Sequence, residues 1–305
     1  MKIYVAGHRG LVGSAIVRAI ESDGKDSWVG ASRQELDLFD RGRVFDFVRA
    51  EKPDAVVIAA ARVGGIAAND NFPVEFLAEN LQIEMSLLEA CHAADIEKVL
   101  FLGSSCIYPR LAPQPIKEEY LLTGELEPTN EAYAISKIAG IKLVQGYRKQ
   151  YGRHWISAMP TNLYGPGDNF DLETSHVLPA MIRRFHEAKE SGIQDVAMWG
   201  TGSPRREFLH VDDLAKACLY MVKNYDGDIP LNVGCGDDIT IKELAETIAR
   251  IVGFGGKISW DPSKPDGTPR KLLDISRLRA LGWSPQIPLE DGVKSTYKWY
   301  QDSAL

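Results

Sequence analysis

Three side chains suited to proton transfer occupy positions that one fold can bring together. Tyr133 and Lys137 are four residues apart at the start of a predicted helix over about 131–151, and Ser104 ends an apolar run over 98–104. Because residues i and i+4 share one helix face, we expect the lysine ammonium beside the phenol. There it would favour the phenolate and make Tyr133 an acid or base near neutral pH. No other tyrosine in the sequence has a lysine four residues on.

A glycine-rich turn, residues 7–13, follows the first predicted strand and precedes a predicted helix. Gly7, Gly10 and Gly13 are expected to let the backbone approach a pyrophosphate at the helix N-terminus. The GxxGxxG spacing differs from the commonest dinucleotide pattern. A glycine turn that serves packing alone therefore stays an alternative.

The end of the second predicted strand, near residue 31, indicates which dinucleotide binds. A fold that selects NAD places an acidic residue there for the ribose hydroxyls, whereas this chain has Ser32 and Arg33. Arg33 and Arg9 together favour the 2′-phosphate of NADP, because guanidinium groups match phosphate oxygens in charge and geometry. The alternative is that both arginines are solvated surface residues.

The elements that must position these groups alternate between strand-like and helix-like stretches. Apolar runs occur at 2–6, 27–31, 55–61, 98–104 and 154–160, with amphipathic stretches between most of them. This alternation predicts an α/β fold, a Rossmann-type doubly wound parallel sheet. Further helices are predicted at about 73–94, 176–190 and 211–224, and a Pro-rich functional loop at 108–130.

We expect two domains. Residues 1–165 would form the dinucleotide-binding domain, rejoined by about 206–228 through a strand near 206–209 and the helix after it. Residues 166–305 would form mainly a smaller C-terminal α/β substrate domain, with the ligand cleft between the two.

Composition excludes several classes of protein. The 305 residues are 45% hydrophobic and 25% charged, unlike a disordered or fibrous chain. A net charge of −7 argues against nonspecific binding to nucleic acid or an anionic membrane. The longest apolar run, 55–61, is far shorter than the ~18 residues of a membrane span, and no secretory signal or metal site is expected. Four cysteines without CxxC spacing, Cys91, Cys106, Cys218 and Cys235, favour a reducing, cytoplasmic location.

The chain resembles the extended short-chain dehydrogenase/reductases, because it has a glycine turn, a serine that ends a strand and a Tyr-Lys helix in the same order. The resemblance covers essentially the whole chain. The segments 103–109, 128–137, 160–166, 205–213 and 264–274 are similar to those of the members that act on GDP-4-keto-6-deoxy-D-mannose. Ala132 departs from the family pattern, where a proline is common. The resemblance implies an NADPH-dependent enzyme that epimerises carbons 3 and 5, reduces carbon 4 and forms GDP-L-fucose.

The same resemblance implies individual roles. Cys106 and His176 would be the acid/base pair of epimerisation, with Ser104, Tyr133 and Lys137 as the remaining catalytic residues. Cofactor contacts are expected from Gly7, His8, Arg9, Gly10, Leu11, Val12, Gly13, Arg33, Asp37, Leu38, Leu102, Gly103, Ser105, Lys137, Pro160, Thr161, Asn162, Leu163 and His176. Substrate contacts are expected from Arg184, Trp199, Arg206 and Asp266. Relatives pair their two long helices across a two-fold axis, which predicts a homodimer.

Three alternative functions stay open. Without the resemblance, Cys106 would be interpreted as a buried, inert cysteine and His176 as a structural or solvated histidine. The chain would then be another sugar-nucleotide reductase or a 4-epimerase of the same fold. A dinucleotide-sensing protein without chemistry is the third alternative, and it would be expected to lack the Ser-Tyr-Lys set.

Overall fold

The computed structural model describes residues 1–264 and 266–303. The strands are β1 Lys2–Ala6, β2 Ser27–Val29, β3 Ala55–Ile58, β4 Lys98–Leu102, β5 Ile156–Pro160, β6 Asn162–Tyr164, β7 Asp195–Trp199, β8 Arg205–Arg206, β9 Phe208–His210, β10 Leu231–Val233, β11 Ile239–Thr240, β12 Lys257–Asp261 and β13 Arg270–Lys271. The helices are α1 Leu11–Asp23, α2 Arg41–Glu51, α3 Ile66–Asn71, α4 Pro73–Ala93, α5 Glu131–Tyr151, α6 Val177–Glu190, α7 Val211–Asn224, α8 Ile241–Val252, α9 Ser276–Ala280 and α10 Leu289–Ser303.

The central sheet has six strands in the order β10-β5-β4-β3-β1-β2, and every neighbouring pair is parallel. Strands β3 and β4 are wholly buried apart from Lys98, as strands covered on both faces must be. The strand order reverses beside β1, because β2 and β3 lie on its opposite sides. A crevice opens at such a switch point, beyond the carboxyl ends of the strands, and the predicted Rossmann-type fold is confirmed.

Two apolar layers sandwich the sheet. On one face α1 and α7 contribute Ile16 and Leu214 to a core that includes Val5 and Leu100. On the other face α2, α4 and α5 pack their apolar sides, with Leu87 among them. Both long helices have nearly the predicted bounds, and Pro73 starts α4 where the missing amide hydrogen costs nothing.

The return of the chain to the sheet differs from the prediction. The segment near 206–209 forms β8 and β9, and β9 pairs with β6 outside the main sheet. Helix α7 does lie on the sheet, but the sixth sheet strand is β10, beyond residue 228. Short apolar runs reveal a strand but not its partner, since pairing depends on contacts far away in sequence. The division into two domains stays a prediction.

A third core lies under α6, α8 and α10, where Phe185, Leu244 and Val293 are fully buried. Strands β7 and β12 pair beside it, and β11, β8 and β13 form a small separate sheet. The segment 108–130 contains two short 3-10 turns, Glu118–Tyr120 and Pro128–Asn130, and one isolated bridge from Ile116 to Leu273, as expected of a loop. Over the described ranges, none of the helices is both long and apolar enough for a membrane span.

Candidate active site

The glycine turn is built from backbone contacts. Gly7 has φ +87°, which side chains rarely adopt, and a Cβ there would lie 2.8 Å from the backbone of Ala60. A Cβ on Gly13 would lie 2.1 Å from the Gly7 carbonyl oxygen, so only glycine lets α1 pack against the turn. The N-cap residue Gly10 has no side chain to bond the first amides of α1. The amides are therefore available to an anion, and the turn fits the pyrophosphate of a dinucleotide.

Further predicted cofactor residues end the strands beside this crevice. Gly103, directly after β4, donates its amide to the Ala158 carbonyl at 2.8 Å. Thr161, directly after β5, donates its hydroxyl to the Glu207 carbonyl at 3.3 Å, and the Asn162 amide donates to the same oxygen at 2.7 Å. All of them lie at the carboxyl edge of the parallel sheet, where ligands of such sheets bind.

The segment after β2, where the 2′-phosphate is expected, contains a carboxylate that the sequence analysis missed. Glu35 accepts a hydrogen bond from the Ser32 amide at 2.8 Å. Its pKa is lowered by the hydrogen bonds from the Ser32 side chain and backbone, and further by the charges of Arg9 and His8. The expectation that no acidic residue lies at this strand end is therefore wrong. A turn brings Glu35 back to the strand end, and its position three residues later concealed this.

Cys106 lies in the short 3-10 turn Ser105–Ile107 after β4, where one polar group contacts its backbone and another its sulfur. Its amide donates to the Ser104 hydroxyl at 3.1 Å, and the Lys271 ammonium lies 3.2 Å from Sγ. Burial by itself raises the pKa of this thiol. The charge of Lys271 and the hydrogen bonds of Ser104 and Lys271 outweigh burial, and with the charge of Arg206 they lower the pKa below its ordinary value. Cys106 is consequently more acidic than an inert buried cysteine.

His176 immediately precedes α6, and the charge of Lys271 acts on it as well. Desolvation by the surrounding protein lowers the pKa of the imidazole, and the positive charge of Lys271 lowers it further. The ring is therefore neutral at pH 7 and able to accept a proton. Lys271 thus influences both predicted acid/base residues. Because it lies 165 positions after Cys106, no local pattern in the sequence indicated this role.

Tyr133 differs electrostatically from the expectation. Its pKa is raised, first by burial and next by the charge of Cys106, while a hydrogen bond with Ser104 opposes the rise. Lys137 does not lower this pKa as predicted: its ammonium lies 3.2 Å from Oε1 of Glu84 on α4. The i and i+4 spacing correctly predicted that the two residues share one helix face. The Lys137 ammonium, however, pairs with the buried carboxylate of Glu84 on another helix. Ser104, Cys106, Tyr133, His176 and Lys271 are called the acid–base cluster below.

The predicted substrate residues fall into two sets. Asp266 accepts hydrogen bonds from the Thr201 amide at 2.7 Å and from the Thr201 hydroxyl at 2.8 Å. Thr201 follows Trp199 by two residues, and Trp199 is 63% exposed. A Cβ on Gly267 would lie 3.5 Å from Arg206, so that arginine joins the same group. The side chain of Arg184, on α6, forms no hydrogen bond or salt bridge within residues 1–264 and 266–303.

The acid–base cluster supports proton transfer at a carbon next to a carbonyl. It combines a thiol of lowered pKa, a neutral imidazole and a phenol that stays protonated at neutral pH. Across the part of the chain that the structure describes, no group of three or more His, Cys, Asp or Glu is arranged to hold a metal ion.

Comparison with known proteins agrees with this chemistry. A model of the NAD dependent epimerase/dehydratase family matches residues 3–234. GDP-L-fucose synthase 1 of Arabidopsis thaliana is 57% identical, covering 98% of this chain and 93% of its own length. GDP-L-fucose synthase of Escherichia coli (strain K12) is 53% identical, covering 99% and 97%. The crystal structure of a GDP-L-fucose synthetase from Naegleria fowleri bound to NADP superposes with a TM-score of 0.92 at 29% identity, covering 99% and 94%.

Proposed function

Since the chain belongs to the NAD dependent epimerase/dehydratase family, we propose that it converts GDP-4-keto-6-deoxy-D-mannose to GDP-L-fucose with NADPH. It is a bifunctional enzyme that epimerises carbons 3 and 5 and then reduces carbon 4. Similarity to GDP-L-fucose synthases over nearly the full length supports this assignment. The observation in the structure that carries it is the contact between Lys271 and the Cys106 sulfur, 3.2 Å long, beside Ser104.

Epimerisation begins because the 4-ketone acidifies the carbons on either side of it. One member of the Cys106–His176 pair takes the proton from one face, and the other donates a proton to the opposite face. Each epimerisation therefore leaves a proton shifted from one group to the other. Lys271 stabilises the state in which Cys106 is a thiolate, and the hydroxyls of Ser104 and Tyr133 hydrogen-bond the enolate oxygen.

Reduction needs a proton donor at the carbon-4 oxygen. The raised pKa of Tyr133 keeps the phenol protonated at neutral pH, which suits a donor better than the phenolate expected from its spacing to Lys137. Ser104 would hydrogen-bond the same oxygen, and Lys137 would bind the nicotinamide ribose of the cofactor. NADPH, held when bound by the glycine turn and the strand ends, supplies the hydride.

The decisive experiment incubates the purified protein with NADPH and GDP-4-keto-6-deoxy-D-mannose and identifies the product by NMR. GDP-L-fucose with deuterium from solvent at carbons 3 and 5 is the expected result. A reduced sugar that keeps the original configuration at both carbons would contradict the proposal. It would indicate a simple reductase, the first alternative from the sequence. Absence of any NADPH oxidation would favour the dinucleotide-sensing alternative.

Assembly and location extend the proposal. Helices α4 and α5 pack side by side and carry the exposed apolar side chains Val74, Met85, Ile135 and Leu143. A second copy of the chain that covered these side chains would form a homodimer. The mass in solution, measured by light scattering, tests the homodimer, and a monomer would contradict it.

The proposed location follows from the cysteines. The four free cysteine thiols suit the reducing cytoplasm.

A further inference from the structure

Glu84 is a buried carboxylate without a role in the reaction described above. It lies on α4 with 1% of its side chain exposed, facing Lys137 of α5, whose side chain is 3% exposed. Burial raises the pKa of Glu84, and the nearby lysine charge opposes the rise. Neither carboxylate oxygen has an aligned hydrogen bond from the described residues. The ammonium 3.2 Å from Oε1 is thus the main compensation for a buried negative charge.

The surroundings hold the Lys137 ammonium from two sides. Besides Glu84 on α4, its Nζ lies 4.8 Å from the centre of the Phe101 ring on β4. Gly140, one turn after Lys137 on α5, makes this arrangement possible. A Cβ on Gly140 would lie 2.8 Å from Oε2 of Glu84 and 2.3 Å from the Phe101 ring. The absent side chain leaves the space that the carboxylate and the ring fill.

We propose that Glu84 is a positioning residue for the cofactor site, acting through Lys137. The carboxylate fixes the lysine ammonium at one place and compensates its charge in a dry environment, so that donors on Nζ are directed at the nicotinamide ribose without reorganisation. This inference rests on the proposed function only for the role of Lys137. Affinity for NADPH then depends on a carboxylate carried by a helix that does not belong to the glycine turn.

The test measures NADPH binding by fluorescence titration, which requires no sugar substrate. We expect Glu84→Gln to raise the Kd for NADPH about tenfold or more, because displacement of a positioned group by even 1 Å is costly. The affinity for GDP should be unchanged. Glu84→Asp, which keeps the charge, should recover part of the loss. Glu89→Gln is the matched control: it lies on the same helix and loses an ion pair with Arg41, 2.6 Å long, yet should bind NADPH normally.

A double variant separates positioning from a structural role. In the Lys137→Met background, Glu84→Gln should change the Kd for NADPH by less than twofold, since its effect passes through the lysine. This variant also removes both buried charges, so it remains informative if Glu84→Gln alone does not fold. Wild-type affinity in folded Glu84→Gln, or an additional loss in the double variant, would overturn the inference. Either result can occur whether or not the wild-type enzyme forms GDP-L-fucose, so failure here differs from failure of the proposed function.

Discussion

The glycine turn and the acid–base cluster are built in opposite ways. Seven consecutive residues make the turn, and its shape depends on backbone atoms that approach each other where Gly7 and Gly13 have no side chain. The acid–base cluster draws its five side chains from four separate segments between Ser104 and Lys271, and its properties depend on burial and on one ammonium. Steric fit therefore controls the turn, whereas electrostatics controls the cluster. Substitutions should affect each region in its own way.

Tyr133→Phe gives the largest expected effect. It removes the proton donor and almost no volume, so reduction should slow by ~100- to 10,000-fold while NADPH binding stays nearly intact. Stopped-flow NADPH oxidation and a binding titration measure the two quantities. If the variant reduces the sugar at the wild-type rate, Tyr133 is not the proton donor.

Cys106→Ser should separate the two activities. A serine hydroxyl is far less acidic than this thiol of lowered pKa, so exchange of carbon-bound protons should fall ~100-fold or more, while hydride transfer continues. Deuterium incorporation at carbons 3 and 5, followed by NMR, measures the loss, and an unepimerised product is expected. Unchanged deuterium incorporation would show that Cys106 is an inert cysteine and not the base of epimerisation.

Gly13→Ala tests the steric control of the turn. Its Cβ would meet the Gly7 carbonyl oxygen at 2.1 Å, so we expect a loss of about 1–3 kcal/mol in the free energy of unfolding. Gly10→Ala is the matched control, because its Cβ would lie 3.5 Å from the same oxygen, an ordinary contact. Urea unfolding of both variants measures the difference. Equal stabilities would show that close packing does not shape this turn.

Lys271→Met tests the electrostatic control of the cluster. The ammonium lowers the pKa of both Cys106 and His176, so its removal should raise both values. Each group then loses its proton only at higher pH, and the rising limb of deuterium exchange should move toward alkaline pH. We expect exchange at pH 7 to fall about tenfold. An unmoved pH profile, measured from pH 5 to 9, would contradict this account of Lys271.

Arg9→Ala combined with Arg33→Ala should have an effect no larger than that of Lys271→Met. Both side chains are exposed and Glu35 lies near Arg9, so solvent and the carboxylate weaken their attraction for the 2′-phosphate. We expect the KM for NADPH to rise about tenfold, with little change for NADH and a flatter salt dependence. Steady-state rates at two salt concentrations measure this. A double variant that still strongly prefers NADPH would show that other residues recognise the phosphate.

The sequence by itself determined the features that depend on neighbouring residues. Periodicity and turn residues predicted the parallel sheet, and the helices α4 and α5 appear where they were expected. The glycine turn was recognisable because its function is carried by the backbone of adjacent residues. The shared helix face of Tyr133 and Lys137 was also predictable, because a helix fixes the direction of side chains four residues apart.

Only the tertiary structure decided which charges meet. Glu84 and Lys137 lie on different helices, and Lys271 reaches Cys106 from the distant strand β13. Desolvation and pairing across such distances determine the pKa values. The pKa of Tyr133 is therefore raised, although its spacing to Lys137 predicted the reverse. A local pattern specifies where a side chain begins on the backbone, but the packing of the whole chain specifies the environment that its charge experiences.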